Sequence, residues 1–395
     1  MTDWQALERK YYMQTVKRLP VTLVRGQGAR VWDDKGKEYL DFVAGWAVTS
    51  LGHCHPVVTQ ALAVQANTLI HTSNQFYTIP QVMLAELLVE HSCLDRVFLS
   101  NSGTEANEGA VKMARKYGKL RLKNAFEVIT TMNSFHGRTL AMVAATGQEK
   151  FKSPYVPMPA GFINVEYDDI GAIRQATSDN TCAIMIEIIQ GEGGVNVASD
   201  QYLEEVRAWC DEKGLLLILD EVQTGIGRTG TLFAYEHSGI EPDIMTLAKG
   251  LGSGVPIGAI MAKEKAAVLE PGEHGATFGG NALVSAAAYA VVKFIIENDI
   301  IGNVRRMGSY LQDRLHELKA KYPMIIDIRG RGLLIALQLD RDATEDALMA
   351  CLDKGLLVNR VKPDTLRLMP ALIIGKEEVD QAVEILDQVF GSLQE

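Results

Sequence analysis

The sequence predicts an α/β fold: a large domain on a mostly parallel sheet, with a smaller α+β domain drawn from the N- and C-terminal segments. Three observations predict it. Strand-like apolar runs alternate with helix-like segments between residues 96 and 297. The run Cys182–Ile189 is almost unbroken in apolar residues, as a strand covered on both faces requires. Beyond residue 297 the strands group between helices instead of alternating with them. A chain of 395 residues holds two or three domains at roughly 150 residues each. The division expected is residues 1–55 joining the small domain, 56–297 as the large domain and 298–395 as the small C-terminal domain.

Each element has its own signal. Residues 1–20 read as a surface helix. Ala29–Val31 and Tyr39–Val43, split by Asp33-Asp34-Lys35-Gly36, read as a hairpin. Helical spacing covers 56–70 and 80–92. Strands are expected at Arg96–Ser100, Glu127–Thr131, Cys182–Ile189, Leu215–Asp220, Ile244–Leu247 and Ile257–Met261. Helices are expected at Thr104–Tyr117, Asp200–Lys213 and Ala282–Glu297. The C-terminal part reads as a helix over 303–320, strands at Ile325–Arg329, Gly332–Leu339, Leu356–Arg360 and Leu366–Met369, and a last helix over 376–393.

Bulk properties narrow the function classes. With 47% hydrophobic and 22% charged residues, wholesale disorder is excluded. A net charge of −10 argues against a nucleic-acid or anionic-membrane surface. The five cysteines are scattered without a CxxC pair, which fits a reducing compartment. The N-terminus has no apolar signal core, and no apolar run approaches the ~20 residues of a membrane span. The expectation is a cytoplasmic protein with no membrane and no nucleic-acid partner. Glycine is in excess, 35 residues, against a usual ~7%.

In an open α/β sheet, ligands sit beyond the carboxyl ends of the strands, so the strand-to-helix junctions are where chemistry is sought. Ser102-Gly103-Thr104 follows a strand and opens a helix, offering hydroxyls and free N–H groups to a phosphate; its ordinary reading is an N-cap. Phe135-His136-Gly137-Arg138 brings a flat ring and a guanidinium; its ordinary reading is a loop with one core aromatic. Glu187 and Glu192 lie at a strand end among Gly191, Gly193 and Gly194, where a buried carboxylate needs a partner. Asp220 ends a buried strand and asks for a cation. Gly225, Gly227 and Gly230 match G-x-G-x-x-G. They fall too late after Asp220, and Pro242 sits where the next strand of a dinucleotide unit should begin, so a dinucleotide site is disfavoured. Lys249 is delivered by a strand into a glycine-rich stretch, where a lysine shifts its pKa or forms a Schiff base. Thr277 precedes Phe278-Gly279-Gly280, and Arg367 interrupts an apolar strand. None of these decides alone. Together they supply a phosphate cradle, an aromatic plate, an acid for a ring nitrogen and a strand-end lysine, the parts that pyridoxal 5′-phosphate requires.

Over nearly its whole length the chain resembles the class III, fold type I, pyridoxal-phosphate-dependent aminotransferases, most closely the N-acetylornithine type. The segments carrying the resemblance are RGQGARVWDDKGKEYLDFVAG, LGHCHP, NSGTEANE, FHGRT, QGEGG, DEVQTGIGRTG, LAKGLGSGVPIGA, TFGGN and LLVNRVKPDTLRLMP. The resemblance implies Lys249 as the Schiff-base lysine and proton carrier, with Asp220 on the pyridinium nitrogen. It implies Phe135 and Val222 on the two ring faces and Gln223 at the phenolic oxygen. Gly103 and Thr104 would hold the phosphate, with Ser102, His136 and Glu187 in the same pocket. Thr277 would come from the neighbouring subunit of a homodimer. Arg138 and Arg367 would bind substrate carboxylates, Glu192 covering Arg367 when an ω-amino substrate is bound. The implied reaction moves the δ-amino group of N²-acetylornithine to 2-oxoglutarate, as in arginine biosynthesis. Succinyldiaminopimelate, ornithine, 4-aminobutyrate and lysine-type substrates are the alternatives within the fold. An oxidoreductase and a non-catalytic binding protein are the alternatives outside it. The segment Trp46-Ala47-Val48-Thr49 departs from the usual pattern and is expected at the substrate mouth.

Overall fold

Seven strands form the central sheet of the computed structural model, which describes residues 2–394. They are β1 (Arg96–Ser100), β2 (Glu127–Thr131), β3 (Phe162–Val165), β4 (Thr181–Ile186), β5 (Leu216–Asp220), β6 (Ile244–Leu247) and β7 (Gly258–Ala262), in the sheet order β1-β7-β6-β5-β4-β2-β3. Only β7 runs antiparallel to its neighbours. The other strands are mutually parallel, so their carboxyl ends share one edge of the sheet.

Every residue of β4, β5 and β6 is buried. Their side chains alternate between two apolar layers. Leu216 and Ile218 join Ala106, Ala110 and Met113 of the helix Gly103–Arg121. Leu217 and Leu219 join Leu84 and Leu88 of the helix Ile79–Glu90 and Val291 and Ile295 of the helix Ala282–Glu297. Both faces being covered explains why the sequence of these strands shows no polar alternation.

A second sheet, wholly antiparallel, has the order Ile325–Arg331, Leu334–Leu339, Thr365–Leu368, Asn359–Lys362. The N-terminal strands Leu23–Gln27, Arg30–Asp33 and Glu38–Asp41 form a third, completed by Leu356–Leu357 running parallel to Glu38–Asp41. Buried Arg228 pins the C-terminal sheet to the region after β5: its Nη1 donates to the carbonyls of Leu333 (3.0 Å) and Pro370 (2.6 Å).

Several expectations need correction. The helix expected over 1–20 is confined to Trp4–Tyr11, with Met1 outside the described residues. It buries no side chain, and Tyr12, Thr15 and Val16 are poor helix formers without packing to hold them. Cys182–Ile189 does not run as one strand. It stops at Ile186, and Ile189–Gln190 pairs with Asn196–Val197. Leu356–Arg360 divides between two sheets. The structure adds short elements: Leu23–Gln27, Leu140–Ala145, β3, Ile170–Ala176 and Thr344–Asp353. The glycines at 225, 227 and 230 lie in turns that open no α-helix, so the dinucleotide reading has no structural counterpart. Among the described residues, no helix is long and apolar enough to cross a membrane.

Candidate active site

At the shared carboxyl edge lies a cavity of about 400 Å³. It takes in Lys249 and Asp220, together with Ser102, Gly103, Thr104, Phe135, His136, Glu187, Val222, Gln223, Arg138 and Glu192. Two expected residues do not line it. Arg367 is fully buried behind Glu192. Thr277 is exposed, away from its own chain's cavity.

One wall is the start of the helix Gly103–Arg121. Ser102 is its N-cap, accepting from the Glu105 N–H at 3.3 Å, so the ordinary capping role is realised at the cavity itself. The free N–H groups of the first turn suit an anion. A Cβ on Gly103 would meet Val222 at 2.7 Å, so glycine is what lets this turn lie against the segment that follows β5.

Asp220 ends β5 as a buried carboxylate held on every side. Its Oδ2 accepts from Asn107 Nδ2 at 2.7 Å and lies 2.8 Å from His136 Nδ1; its Oδ1 accepts from the Val222 N–H at 3.0 Å. Asn107 also donates to the His136 carbonyl and accepts from Thr246. Asn107 was not among the expected site residues. Its signal was available: a polar residue one turn after Gly103, on the apolar face of a buried helix, must find partners.

Lys249 follows β6 with a positive φ of 41°. Burial lowers its pKa, reinforced by Arg367, while Glu192, Asp220 and Glu187 oppose the shift. The shift makes the amine a weaker base than a free lysine. Burial and the neighbouring Asp220 raise the Glu187 pKa well above the usual carboxylate range; its Oε2 accepts from the Phe135 N–H at 3.0 Å.

The two arginines differ in kind. Arg138 is exposed, and its guanidinium lies 4.1 Å from the Phe151 ring centre and 5.2 Å from that of Phe135. Among the described residues it forms no ion pair. Arg367 pairs with Glu192 Oε1 at 2.8 Å and donates to Gly191 O and Gln223 Oε1. Burial would raise the Glu192 pKa, but Arg367 and Lys249 outweigh it and hold it at about 2. Gln223 faces this pair, with its Nε2 3.4 Å from Glu192.

At the mouth, Ala44, Gly45, Trp46 and Ala47 all have positive φ, a left-handed turn that costs about 1–2 kcal/mol for each non-glycine residue. Asp41 holds it by accepting from the Val43 and Ala44 N–H groups and contacting His53 Nε2 at 2.7 Å. Val48, just after the turn, lines the cavity; Trp46 and Thr49 do not.

The model of the class III aminotransferases matches residues 11–390. The chain belongs to the class III aminotransferases. It is a pyridoxal 5′-phosphate-dependent enzyme of this family, and the site fits the cofactor. The helix N-terminus suits an anionic phosphate, buried Asp220 suits a protonated ring nitrogen, and among the described residues the buried His136 Nε2 has no hydrogen-bond partner. Among similar proteins, the acetylornithine aminotransferase of Caldanaerobacter subterraneus is 50% identical over 98% of both chains. The structure of the ornithine aminotransferase from Toxoplasma gondii has a TM-score of 0.96 at 38% identity, covering 99% of this chain and 95% of that one. That of N-acetylornithine aminotransferase from Stenotrophomonas maltophilia has a TM-score of 0.85 at 38% identity, covering 98% and 99%.

Proposed function

We propose that this class III aminotransferase transfers the δ-amino group of N²-acetylornithine to 2-oxoglutarate, yielding N-acetylglutamate 5-semialdehyde and glutamate. One observation carries the reading. The cavity has one open arginine, Arg138, and a partly exposed carboxylate, Glu192, that masks a second arginine, Arg367, behind it. A substrate with one carboxylate and a distant amine needs only Arg138. Glutamate and 2-oxoglutarate need both arginines, and displace Glu192. The relatives' names narrow the amine to N²-acetylornithine.

Bound here, pyridoxal 5′-phosphate supplies the carbonyl that receives the amino group and the ring that spreads the resulting charge. The chain's residues do the rest. Lys249 Nζ anchors the cofactor and moves the proton at the substrate δ-carbon. Asp220, braced by Asn107 and His136, stabilises the protonated ring nitrogen. Phe135 and Val222 would flank the ring, Gly103 and Thr104 would hold the phosphate, and Gln223 and Glu187 would complete the rim.

The same reading includes a homodimer in which Thr277 reaches the phosphate of the neighbouring subunit. Exposed Phe76, Tyr77, Ile79 and Phe278 support it; Asn74 Nδ2 bonds to Ala276 O at 2.8 Å, joining their two segments into one surface. A cytoplasmic location and the division near residues 55 and 297 belong to it also. The TM-score of 0.96 to an ornithine aminotransferase makes free ornithine the second reading. Product analysis with 2-oxoglutarate and each amine separates them. Glutamate formation fastest with N²-acetylornithine supports the first; preference for ornithine replaces it with the second.

A further inference from the structure

Arg367 is fully buried, yet among the described residues only one of its partners is charged. Its Nε and Nη2 both donate to Asn359 Oδ1, at 3.0 and 2.8 Å. Its Nη1 donates to Gly191 O at 2.7 Å and Gln223 Oε1 at 3.0 Å, and pairs with Glu192. These partners differ in how firmly they are held. Asn359 is the cross-strand register partner of Arg367 in the antiparallel pair Asn359–Lys362 and Thr365–Leu368, so it stays while the sheet stays. Glu192 sits in the loop between Gly191 and Gly193 and is 31% exposed.

We propose that Asn359 is a positioning residue that determines dicarboxylate specificity. It fixes the guanidinium from behind without neutralising it. The charge of Arg367 is then left for one carboxylate at a time, that of Glu192 or that of the substrate. The exchange is electrically even: one buried anion leaves as another arrives. This rests on the reading in which Arg367 binds a carboxylate of glutamate and 2-oxoglutarate.

An aspartate at 359 has almost the same shape and keeps the accepting oxygen. Its charge-assisted bonds to Arg367 are stronger than those of the amide. It also neutralises Arg367 permanently: Glu192, 31% exposed, can turn out to water, whereas a bound substrate carboxylate would stay as an unpaired negative charge in a buried site. Stability and dicarboxylate binding therefore move in opposite directions. A residue with a merely structural role moves both together.

The test compares Asn359→Asp, Asn359→Leu and Arg367→Met in the holoenzyme. Titration calorimetry with glutarate, an unreactive dicarboxylate, gives a readout apart from turnover. Asn359→Asp should keep or raise the thermal midpoint, weaken glutarate binding and raise the KM for 2-oxoglutarate by roughly tenfold or more. The KM for the monocarboxylate amino donor should change less than about threefold. Asn359→Leu, which removes the acceptor but adds no charge, should lower the midpoint and weaken glutarate less than the aspartate does. The proposal is overturned if Asn359→Asp lowers stability, leaves glutarate binding intact, or matches Asn359→Leu in both measures. If Arg367→Met leaves glutarate binding and the KM for 2-oxoglutarate unchanged, the underlying reading of Arg367 fails, and the proposal with it.

Discussion

Replacing Phe151 by leucine tests how Arg138 is held. Among the described residues the guanidinium has no carboxylate partner; it rests 4.1 Å from the Phe151 ring centre, with Phe135 farther off at 5.2 Å. Leucine keeps an apolar side chain but removes the ring quadrupole. A cation over an aromatic face is worth about 0.5–1 kcal/mol at an exposed site and about 2 kcal/mol when desolvated. A bound substrate shields this site, so the loss lies between those values, or about a 2- to 30-fold rise in KM at ~1.4 kcal/mol per tenfold. Both substrates use Arg138 in the proposed reaction, so both KM values should rise while kcat stays within about twofold. Steady-state kinetics with each substrate varied at saturating levels of the other reads this directly. Phe151→Trp, which offers a stronger face, should stay near wild type. Unchanged KM values in Phe151→Leu, or a fall in kcat alone, would refute the reasoning.

Other perturbations have equally definite outcomes. Asn107→Leu removes one of the donors to Asp220 Oδ2; hydrogen bonds to charged groups are worth about 1.5–3 kcal/mol, so spectrophotometric titration should show the cofactor bound about 10- to 100-fold more weakly. Gly103→Ala drives a methyl into Val222, and cofactor affinity should fall; Val222→Ala in the same chain should recover part of it, whereas strictly additive losses would show the contact irrelevant. The Glu192 carboxyl is depressed from 4.5 to about 2 in the folded chain. A depressed acid stabilises above its unfolded pKa and loses that contribution as pH falls through the folded one. The stability advantage of wild type over Glu192→Gln, followed by denaturation, should be full above about pH 5 and fade towards pH 2; a pH-independent difference would contradict the ion pair.

The strand ends were the legible part of this site. β1, β2, β5 and β6 carry strong apolar or β-branched runs, and residues at or just beyond their ends, such as Ser102, Asp220 and Lys249, must fall on one edge once the strands are parallel. The reversed direction of β7 had no signature, because a short apolar run reads alike in either direction. Asn107 was readable only as a polar intruder on an apolar helix face. Phe151 and Asn359 were not readable at all. One depends on where an exposed side chain comes to rest, the other on strand register, which a bulge between Arg360 and Lys362 shifts. The detail of the mouth was hidden for a related reason. Side-chain types at Trp46 and Thr49 give no warning of four successive left-handed residues, and that turn decides that Val48 faces inward.

The central claim is that Lys249, in the cavity bounded by Asp220 and the Ser102–Thr104 turn, is where the amino group changes hands. Borohydride treatment of the holoenzyme, followed by peptide mass mapping, tests it most directly. The account predicts a visible absorbance that N²-acetylornithine bleaches and that borohydride fixes as a pyridoxyl adduct on the peptide containing Lys249, with Lys249→Ala losing both the adduct and transamination. An adduct on another lysine, or a Lys249→Ala chain that still transaminates, would contradict it.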